Sequence, residues 1–210
     1  MSENGQRWIG SDESGKGDYF GPLVVAAVQV DEVSARRLAE AGVRDSKKVS
    51  NNRAAQLAEI IIAERPHSIV VIGPKRYNEL YKKIANLNHL LAWAHARAIE
   101  DLLTDHECRR VVVDRFAKDG VLAAALMEKG SAAKVEERVR AESDTAVAAA
   151  SILARARFLA ELEQLSDDCG IGLAPGAGEP VIESGRNFIE RHGADALGAV
   201  AKLHFRTTRK

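Results

Sequence analysis

The chain has 210 residues and carries 30 Lys+Arg against 30 Asp+Glu, so its formal net charge is zero. A hydrophobic fraction of 46% with no net charge excludes an intrinsically disordered chain. We expect one domain over residues 1–210 with a substantial core, in which residues 168–210 form a loop and a C-terminal helical extension. The chain lacks the global excess of basic residues that is typical of nucleic-acid-binding proteins. If it binds a polyanion, it must therefore do so through a local basic surface.

Nothing in the sequence indicates a membrane or an exported protein. The longest apolar runs, such as residues 23–28, are far below the ~20 residues that a membrane-spanning helix needs. Residues 1–6 are polar and lack the apolar stretch of a signal peptide. Cys108 and Cys169 lie far apart without metal-ligand spacing. We therefore expect a cytoplasmic protein with two reduced thiols.

Hydrophobic patterning predicts an α/β domain. The predicted strands cover residues 8–12, 23–30, 68–72, 111–113 and 134–139. The predicted helices cover residues 33–41, 53–64, 77–84, 87–103, 144–165 and 184–192, and the Gly- and Pro-rich residues 170–180 are a loop. We expect the first three strands to form an antiparallel meander and the later, helix-linked strands to add in parallel. The prediction is a mixed five-stranded sheet flanked by helices.

The first motif in the chain matches the start of a nucleotide-binding P-loop, but its chemistry is wrong. Residues 10–16 read GSDESGK, whereas the next position, which must be Ser or Thr to hold Mg²⁺, is Gly17. The segment continues into a β-branched strand, although a P-loop continues into a helix that holds the phosphates. Asp12 and Glu13 would also face anionic oxygens. We therefore reject a P-loop.

Carboxylates at the ends of predicted elements are the better candidates for chemistry. Asp12 and Glu13 end the first strand, Asp114 ends the fourth strand, and Glu142 lies just ahead of the long helix. Adjacent strand residues face opposite ways, so Asp12 and Glu13 share one site only if the strand ends or twists there. Four converging acids repel one another unless cations lie between them. Hard oxygen ligands favour Mg²⁺ or Mn²⁺, and two such ions suit phosphodiester cleavage.

Motifs along most of the chain resemble the type 2 ribonuclease H family. Residues 10–22 (GSDESGKGDYFGP) resemble the first motif of its ribonuclease HIII branch. Further matches follow in the expected order: DSKK at 45–48, YNEL at 77–80, NLN at 86–88, VVD at 112–114, AE at 141–142, AVAAASILAR at 146–155, PGAG at 175–178 and KLHF at 202–205. The Gly-Lys-Gly at 15–17 and the glutamate at 142 favour this branch over the sister ribonuclease HII. That branch usually carries a small N-terminal substrate-binding domain, which we expect to be absent because the first acid is already residue 12.

The resemblance implies a ribonuclease H-like fold and an endonuclease that cuts the RNA strand of an RNA/DNA hybrid, leaving 5′-phosphate and 3′-hydroxyl ends. It implies four metal-binding catalytic acids, with two Mg²⁺ or Mn²⁺ ions: Asp12, Glu13, Asp114 and Glu142. It also implies five substrate-binding residues: Gly15, Lys16, Gly17, Ser46 and Lys47. We expect a monomer with no obligate protein partner. Ribonuclease HII-like cleavage at single ribonucleotides in DNA and non-catalytic hybrid binding stay open as alternatives.

Two further expectations concern residues outside these motifs. The C-terminal tail is expected to supply a local basic surface through four cations: Lys202, Arg206, Arg209 and Lys210. Trp8 and Trp93 are expected to lie in the core rather than in a site.

Overall fold

The sheet mixes antiparallel and parallel strands in the order β3-β2-β1-β4-β5. The structure is a computed structural model and describes residues 6–44, 46–117 and 120–209, without the side chains of Lys47 and Arg209. Its strands in these ranges are β1 (Trp8–Ser14), β2 (Leu23–Val30), β3 (His67–Ile72), β4 (Arg110–Asp114) and β5 (Lys134–Arg138). Each lies within two residues of a predicted strand.

The strand directions confirm the predicted mixed sheet. Strands β1, β2 and β3 pair antiparallel, whereas β4 pairs parallel to β1 and β5 pairs parallel to β4. The predicted antiparallel meander of the first three strands is confirmed, and the two helices predicted at 33–41 and 53–64 lie between β2 and β3 in the chain. A single hairpin joins β1 to β2 and makes them antiparallel, and the two helices then return the chain to the outer side of β2.

The described helices include all six predicted ones and two short additional ones. They are α1 (Glu32–Glu40), α2 (Asn51–Glu64), α3 (Pro74–Ile84), α4 (Leu87–Asp105), α5 (Val121–Ala125), α6 (Glu128–Ser131), α7 (Thr145–Cys169) and α8 (Glu179–His192). Helices α5 and α6 have five and four residues, too few to show a helical period. The predicted loop at 170–180 ends two residues early, because Pro180 lies in the first turn of α8, where its missing N–H needs no partner. None of the helices in the described ranges is long and apolar enough to cross a membrane.

Strand β2 separates two hydrophobic cores. All eight of its residues are buried, and its side chains alternate between the two faces of the sheet. Val24, Ala26 and Val28 pack with α1, α2 and α7 on one face, whereas Val25 and Ala27 pack with α4 on the other. The single-domain boundary at 1–210 stays a prediction, but both helical layers pack on this interior strand of one sheet.

Helix α7 packs very closely on β1. A Cβ atom added to Gly10 would lie 2.1 Å from the backbone nitrogen of Val147, so no larger residue fits without separating the helix from the strand. The small residues of α7 allow this approach, and Ala146 and Ala149 have no exposed surface. The close contact places the N-terminal end of α7 beside the carboxyl end of β1.

Two expectations about individual side chains are wrong. Trp93 is 43% exposed, because it lies on the outer side of α4. Lys202 has no exposed surface and donates hydrogen bonds to the carbonyl oxygens of Phe20, Gly21 and Pro22, so it contributes nothing to a basic surface. Trp8 is half-buried against the core, and its Nε1 donates to Asp144 (2.9 Å). In the tail, Lys210 and the side chain of Arg209 lie outside the described residues.

Candidate active site

The end of β1 presents adjacent carboxylates to opposite faces of the sheet. Gly10 faces α7, so by alternation Asp12 faces α7 as well. Ser11 and Glu13 face α4, where both contact His95. Both acids nevertheless line the same cleft, because the strand ends here: Gly15 has a φ of 84° and turns the chain away. A Cβ on Gly15 would lie 2.1 Å from the carbonyl oxygen of Pro22, so this turn requires glycine.

The parallel register of β1 and β4 brings a third carboxylate alongside. Ser11 pairs with Val113, so the next residues, Asp12 and Asp114, are neighbours on adjacent strands. Adjacent strands lie about 4.8 Å apart, which places these carboxylates side by side at the carboxyl edge of the sheet. Carboxyl ends of strands in open α/β sheets are where such folds commonly bind ligands.

The fourth acid comes from the turn that precedes α7. Glu142 lies in a single 3₁₀ turn (Ala141–Ser143), directly before the N-cap Asp144. The Oδ1 atom of Asp114 accepts the backbone N–H of Ala141 (2.9 Å) and so ties this turn to the end of β4. The position of Glu142 is therefore fixed by both β4 and α7.

All four predicted acids line one open cleft of about 620 Å³. Within the described ranges, no three histidine, cysteine, aspartate or glutamate side chains form a compact metal-ligand cluster. The carboxylates surround the cleft instead, and at least two bond to backbone N–H groups. Asp12 accepts from the N–H of Glu13 (2.8 Å), and Asp114 accepts from Ala141 as described above.

Burial and the negative charge of the cleft affect the pKa of Asp12. Burial and the neighbouring negative charge of Glu13 raise the pKa of the Asp12 carboxyl from 3.8 to about 7, and a hydrogen bond from Ser151 opposes them. A buried carboxylate in a negative surrounding is stabilised by a cation. The donor set, four carboxylates with hard oxygen atoms, therefore fits Mg²⁺ or Mn²⁺ and does not resemble a zinc site.

A buried histidine positions Glu13, and the sequence analysis did not identify it. The Ser11 hydroxyl donates to the carbonyl of Ala26 (2.9 Å), so its oxygen accepts from Nδ1 of His95 (2.8 Å). On the other side of the ring, Nε2 lies 3.1 Å from Oε2 of Glu13. The imidazole has no exposed surface and stacks on Phe116, with ring centroids 4.8 Å apart. One sequence signal was available, because His95 is a polar residue beside the apolar positions of α4.

This contact changes the protonation of Glu13. Burial alone would raise the pKa of the Glu13 carboxyl, but the hydrogen bond and charge of His95, together with Lys16, hold it below its usual value. Lys16 Nζ lies 3.4 Å from Oε1 of Glu13. The pKa values of the adjacent Asp12 and Glu13 thus shift in opposite directions, and Glu13 is the one of the two that is bonded to His95 and Lys16.

The predicted substrate-binding residues fall into two groups. Gly15, Lys16 and Gly17 form the turn after β1, beside the cleft; Lys16 is bonded to Glu13, and the space around Gly17 is open. Ser46 lines the cleft, but its side chain is buried and its Oγ lies 2.8 Å from Oγ of Ser151. Asp45 and the side chain of Lys47 lie outside the described residues.

Arg155 of α7 fixes the segment that carries Ser46, a second role that sequence reasoning did not assign. Its guanidinium donates to the carbonyls of Ser46 and Val49 and to Oδ1 of Asn51. These bonds hold a short 3₁₀ turn (Ser46–Lys48) against the wall of the cleft. The signal was the AVAAASILAR segment, whose final arginine ends the motif.

The loop after α7 is fixed to the turn after β1. Oδ1 of Asp18 accepts the N–H of Gly176 (2.7 Å), and the N–H of Tyr19 donates to the carbonyl of Gly176 (2.8 Å). Pro175, the neighbour of Gly176, is thereby held in the lining of the cleft. Part of the PGAG motif thus shapes the site.

Comparisons with known proteins agree with this site. The ribonuclease HII family model matches residues 9–208. Ribonuclease HIII of Protochlamydia amoebophila is 44% identical over 199 residues, which are 95% of this chain and 66% of that protein. The structure of Bst-RNase HIII in complex with Mn²⁺ matches with a TM-score of 0.90 at 36% identity, over 99% of this chain and 70% of that one. Ribonuclease H2 from Pyrococcus horikoshii OT3 matches with a TM-score of 0.83 at 25% identity, over 97% of this chain and 96% of that one.

The chain thus spans about two thirds of the length of the ribonuclease HIII relatives. Its identity to them, 44% and 36% in these two cases, is higher than its identity to the Pyrococcus ribonuclease H2. The family match extends over nearly the whole chain and includes every acid of the cleft. The chain therefore belongs to the type 2 ribonuclease H family, in its ribonuclease HIII branch.

Proposed function

We propose that this chain is an endoribonuclease that hydrolyses the RNA strand of RNA/DNA hybrids and leaves 5′-phosphate and 3′-hydroxyl ends. One observation carries the proposal: the four acids predicted from the sequence line a single cleft at the carboxyl edge of the sheet. The ribonuclease HIII relatives support the assignment of substrate class.

We propose two Mg²⁺ or Mn²⁺ ions as the cofactor, held by Asp12, Glu13, Asp114 and Glu142. The Mn²⁺ complex of Bst-RNase HIII supports a divalent cation. When bound, such ions lower the pKa of the attacking water and stabilise the leaving oxygen, so no serine or histidine nucleophile is required. The raised pKa of Asp12 supports the proposal, because burial and the negative charge of Glu13 disfavour its charged form, which a bound cation would stabilise.

The protein groups divide the remaining tasks. The adjacent strand ends hold Asp12 and Asp114 side by side, His95 keeps Glu13 in place from the α4 side, and α7 supports Glu142. The turn at 15–17 presents backbone to the substrate, where peptide groups can contact the ribose 2′-hydroxyls that distinguish RNA from DNA. Phosphate contacts position the duplex without reading its sequence.

The test compares two labelled duplexes, an RNA/DNA hybrid containing four ribonucleotides and a DNA duplex containing one, each with Mg²⁺ and then with Mn²⁺. Cleavage of the four-ribonucleotide duplex in preference to the other supports the proposal. Preferred cleavage beside the single ribonucleotide supports the ribonuclease HII-like alternative instead.

The acids are tested by a matched pair of variants. Asp114→Asn is expected to fold and to lose several orders of magnitude in cleavage rate, because a metal-binding carboxylate becomes neutral. Asp105→Asn makes the same change at an exposed position near the end of α4 and is expected to cleave normally. Near-normal cleavage by Asp114→Asn contradicts the four-acid assignment.

The cytoplasmic location and the monomeric state stay predictions, and gel filtration checks the monomeric state.

A further inference from the structure

A second groove lies beside the catalytic cleft. It has a volume of about 570 Å³ and is bounded by the segment after α1, the turn before α7 and the first turns of α7 itself. Glu142 lines both the cleft and the groove, so the groove begins where the cleft ends. A nucleic-acid strand that crosses the cleft is longer than the cleft, and a strand that leaves the cleft beside Glu142 passes over the groove.

The charged groups of the groove are mainly basic. Its described lining includes three cations, Arg44, Lys48 and Arg140, against one acid, Glu142. The nearby Asp144 is engaged elsewhere, because its Oδ1 accepts from Trp8 Nε1 and from the N–H of Ala146. A local excess of positive charge therefore adjoins the negative cleft.

Arg44 and Arg140 are available for a ligand. Both are exposed, and neither side chain has a hydrogen bond or ion pair within the described ranges. Many other arginines are paired: Arg97 with Asp101, Arg110 with Glu136 and Arg157 with Glu161 are examples. Free guanidinium groups match phosphate oxygens in charge and geometry.

Two further features of the groove suit a phosphodiester. Ser143 and Thr145 contribute hydroxyl groups, which are neutral hydrogen-bond donors for phosphate oxygens. Arg140 has a φ of 57°, in the left-handed region where a non-glycine residue is disfavoured, and it lies two positions before Glu142. This turn places Arg140 at the end of the groove, where Glu142 lines both the groove and the cleft.

We propose that this groove binds the phosphodiester backbone of the nucleic-acid substrate next to the scissile phosphate, through Arg44 and Arg140. The inference rests on the proposed function and adds to it, because it names a binding surface outside the catalytic cleft. It also explains how a chain with no net charge holds a polyanion.

The test compares two double variants of the whole protein. Arg44→Ala with Arg140→Ala removes the proposed contacts. Arg7→Ala with Arg109→Ala is the matched control, because both are exposed arginines without side-chain partners in the described residues. They line a pocket near Arg110, at the opposite end of the sheet from the cleft. Strand β4 runs from Arg110 to Asp114 and rises about 13 Å over these four steps, which separates the control arginines from the cleft. Both double variants lose two positive charges, so a general electrostatic effect is the same in each.

Binding of an uncleaved RNA/DNA hybrid is measured by fluorescence anisotropy in EDTA, over roughly 50–200 mM salt. We expect Arg44→Ala with Arg140→Ala to weaken binding about tenfold or more and to reduce the slope of log K against log salt by about 2, one for each phosphate contact. In cleavage assays with divalent metal, the loss is expected mainly in KM. The control pair is expected to bind with the wild-type slope.

Each outcome decides between distinct conclusions. If both double variants lose the same affinity and slope, or if the groove variant keeps the wild-type slope, the groove is not a phosphate site. If either of these results is obtained while the wild type still cleaves the hybrid, the groove inference fails and the proposed function stands. If the wild type neither binds nor cleaves the hybrid, the proposed function fails as well.

Discussion

The hydrogen-bonded chain from Ser11 through His95 to Glu13 yields the sharpest prediction about the site. Replacement of His95 by Phe keeps the volume of the ring and its stacking on Phe116, and removes both hydrogen bonds. The bond to the Ser11 hydroxyl is worth about 1 kcal/mol and the bond to the Glu13 carboxylate about 1.5–3 kcal/mol. The Ser11 hydroxyl still donates to Ala26 in the variant, so it is not left without a partner.

We therefore expect His95→Phe to lower the free energy of unfolding by about 2.5–4 kcal/mol, which urea denaturation measures. A domain with a typical stability of about 5–15 kcal/mol remains folded after this loss. The larger consequence is functional, because Lys16 is then the one remaining partner of the Glu13 carboxylate among the described side chains. Loss of such an orienting contact typically lowers metal affinity or activity by about 10–100-fold.

The assay is a titration of hybrid cleavage with Mg²⁺, from which kcat and the half-saturating metal concentration are obtained. Leu102→Ala is the matched control: it lies on the same helix, is buried and does not contact Glu13. It is expected to cost about 2–5 kcal/mol of stability and to leave the metal dependence unchanged. His95→Gln, whose amide can still donate to Glu13, is expected to recover part of the metal affinity. The reasoning is refuted if His95→Phe keeps the wild-type metal dependence or if Leu102→Ala shifts it equally.

Three other predictions concern the metal site, Lys202 and Gly10. Mg²⁺ or Mn²⁺ at about 100 times its dissociation constant should stabilise the wild type by about 2.7 kcal/mol and should stabilise Asp114→Asn by less. The measurement is the Tm of each protein with and without metal, and equal Tm shifts in the two proteins contradict the metal site. Burial lowers the pKa of Lys202 from 10.5 to about 7, so between these values the unfolded chain binds more protons than the folded one. The free energy of unfolding of the wild type, relative to that of Lys202→Met, should then rise by up to about 1.4 kcal/mol per pH unit. Urea denaturation at several pH values measures it, and parallel pH profiles of the two proteins contradict the lowered pKa of Lys202. Gly10→Ala should prevent stable folding, because its Cβ would lie 2.1 Å from Val147, and a cooperative melt near the wild-type Tm refutes that argument.

Much of the fold was predictable because its signals are local. Strand β2 was predicted with its observed bounds, because its β-branched run directly follows Gly21-Pro22, a dipeptide that interrupts regular structure and so marks the start of the strand. Helix α7 ended four residues later than predicted, at the left-handed Gly170, because its polar last turn carries no apolar period. The antiparallel pairing of β3 with β2 was predicted as part of the meander, although two helices separate these strands in the chain.

The acids of the site were predictable from their sequence context, but their supporting contacts were not. Asp12 and Asp114 each end an apolar strand, and the parallel register then makes them neighbours. His95 reaches Glu13 from 82 positions away, and its role appears only when α4 packs under β1. Lys202 was assigned to the surface because lysine is rarely buried, whereas three backbone carbonyls accept from its ammonium group.

The zero net charge is the sum of separated positive and negative regions. The four predicted acids and Asp18 line the cleft. The groove beside it carries Arg44 and Arg140, whose side chains have no partner among the described residues. Divalent cations in the cleft would neutralise the acids, so the charge that faces a bound duplex is then positive. Because few cations supply this attraction, binding of the hybrid should be weak, and removal of two of them should have an effect much larger than their share of the 30 basic residues.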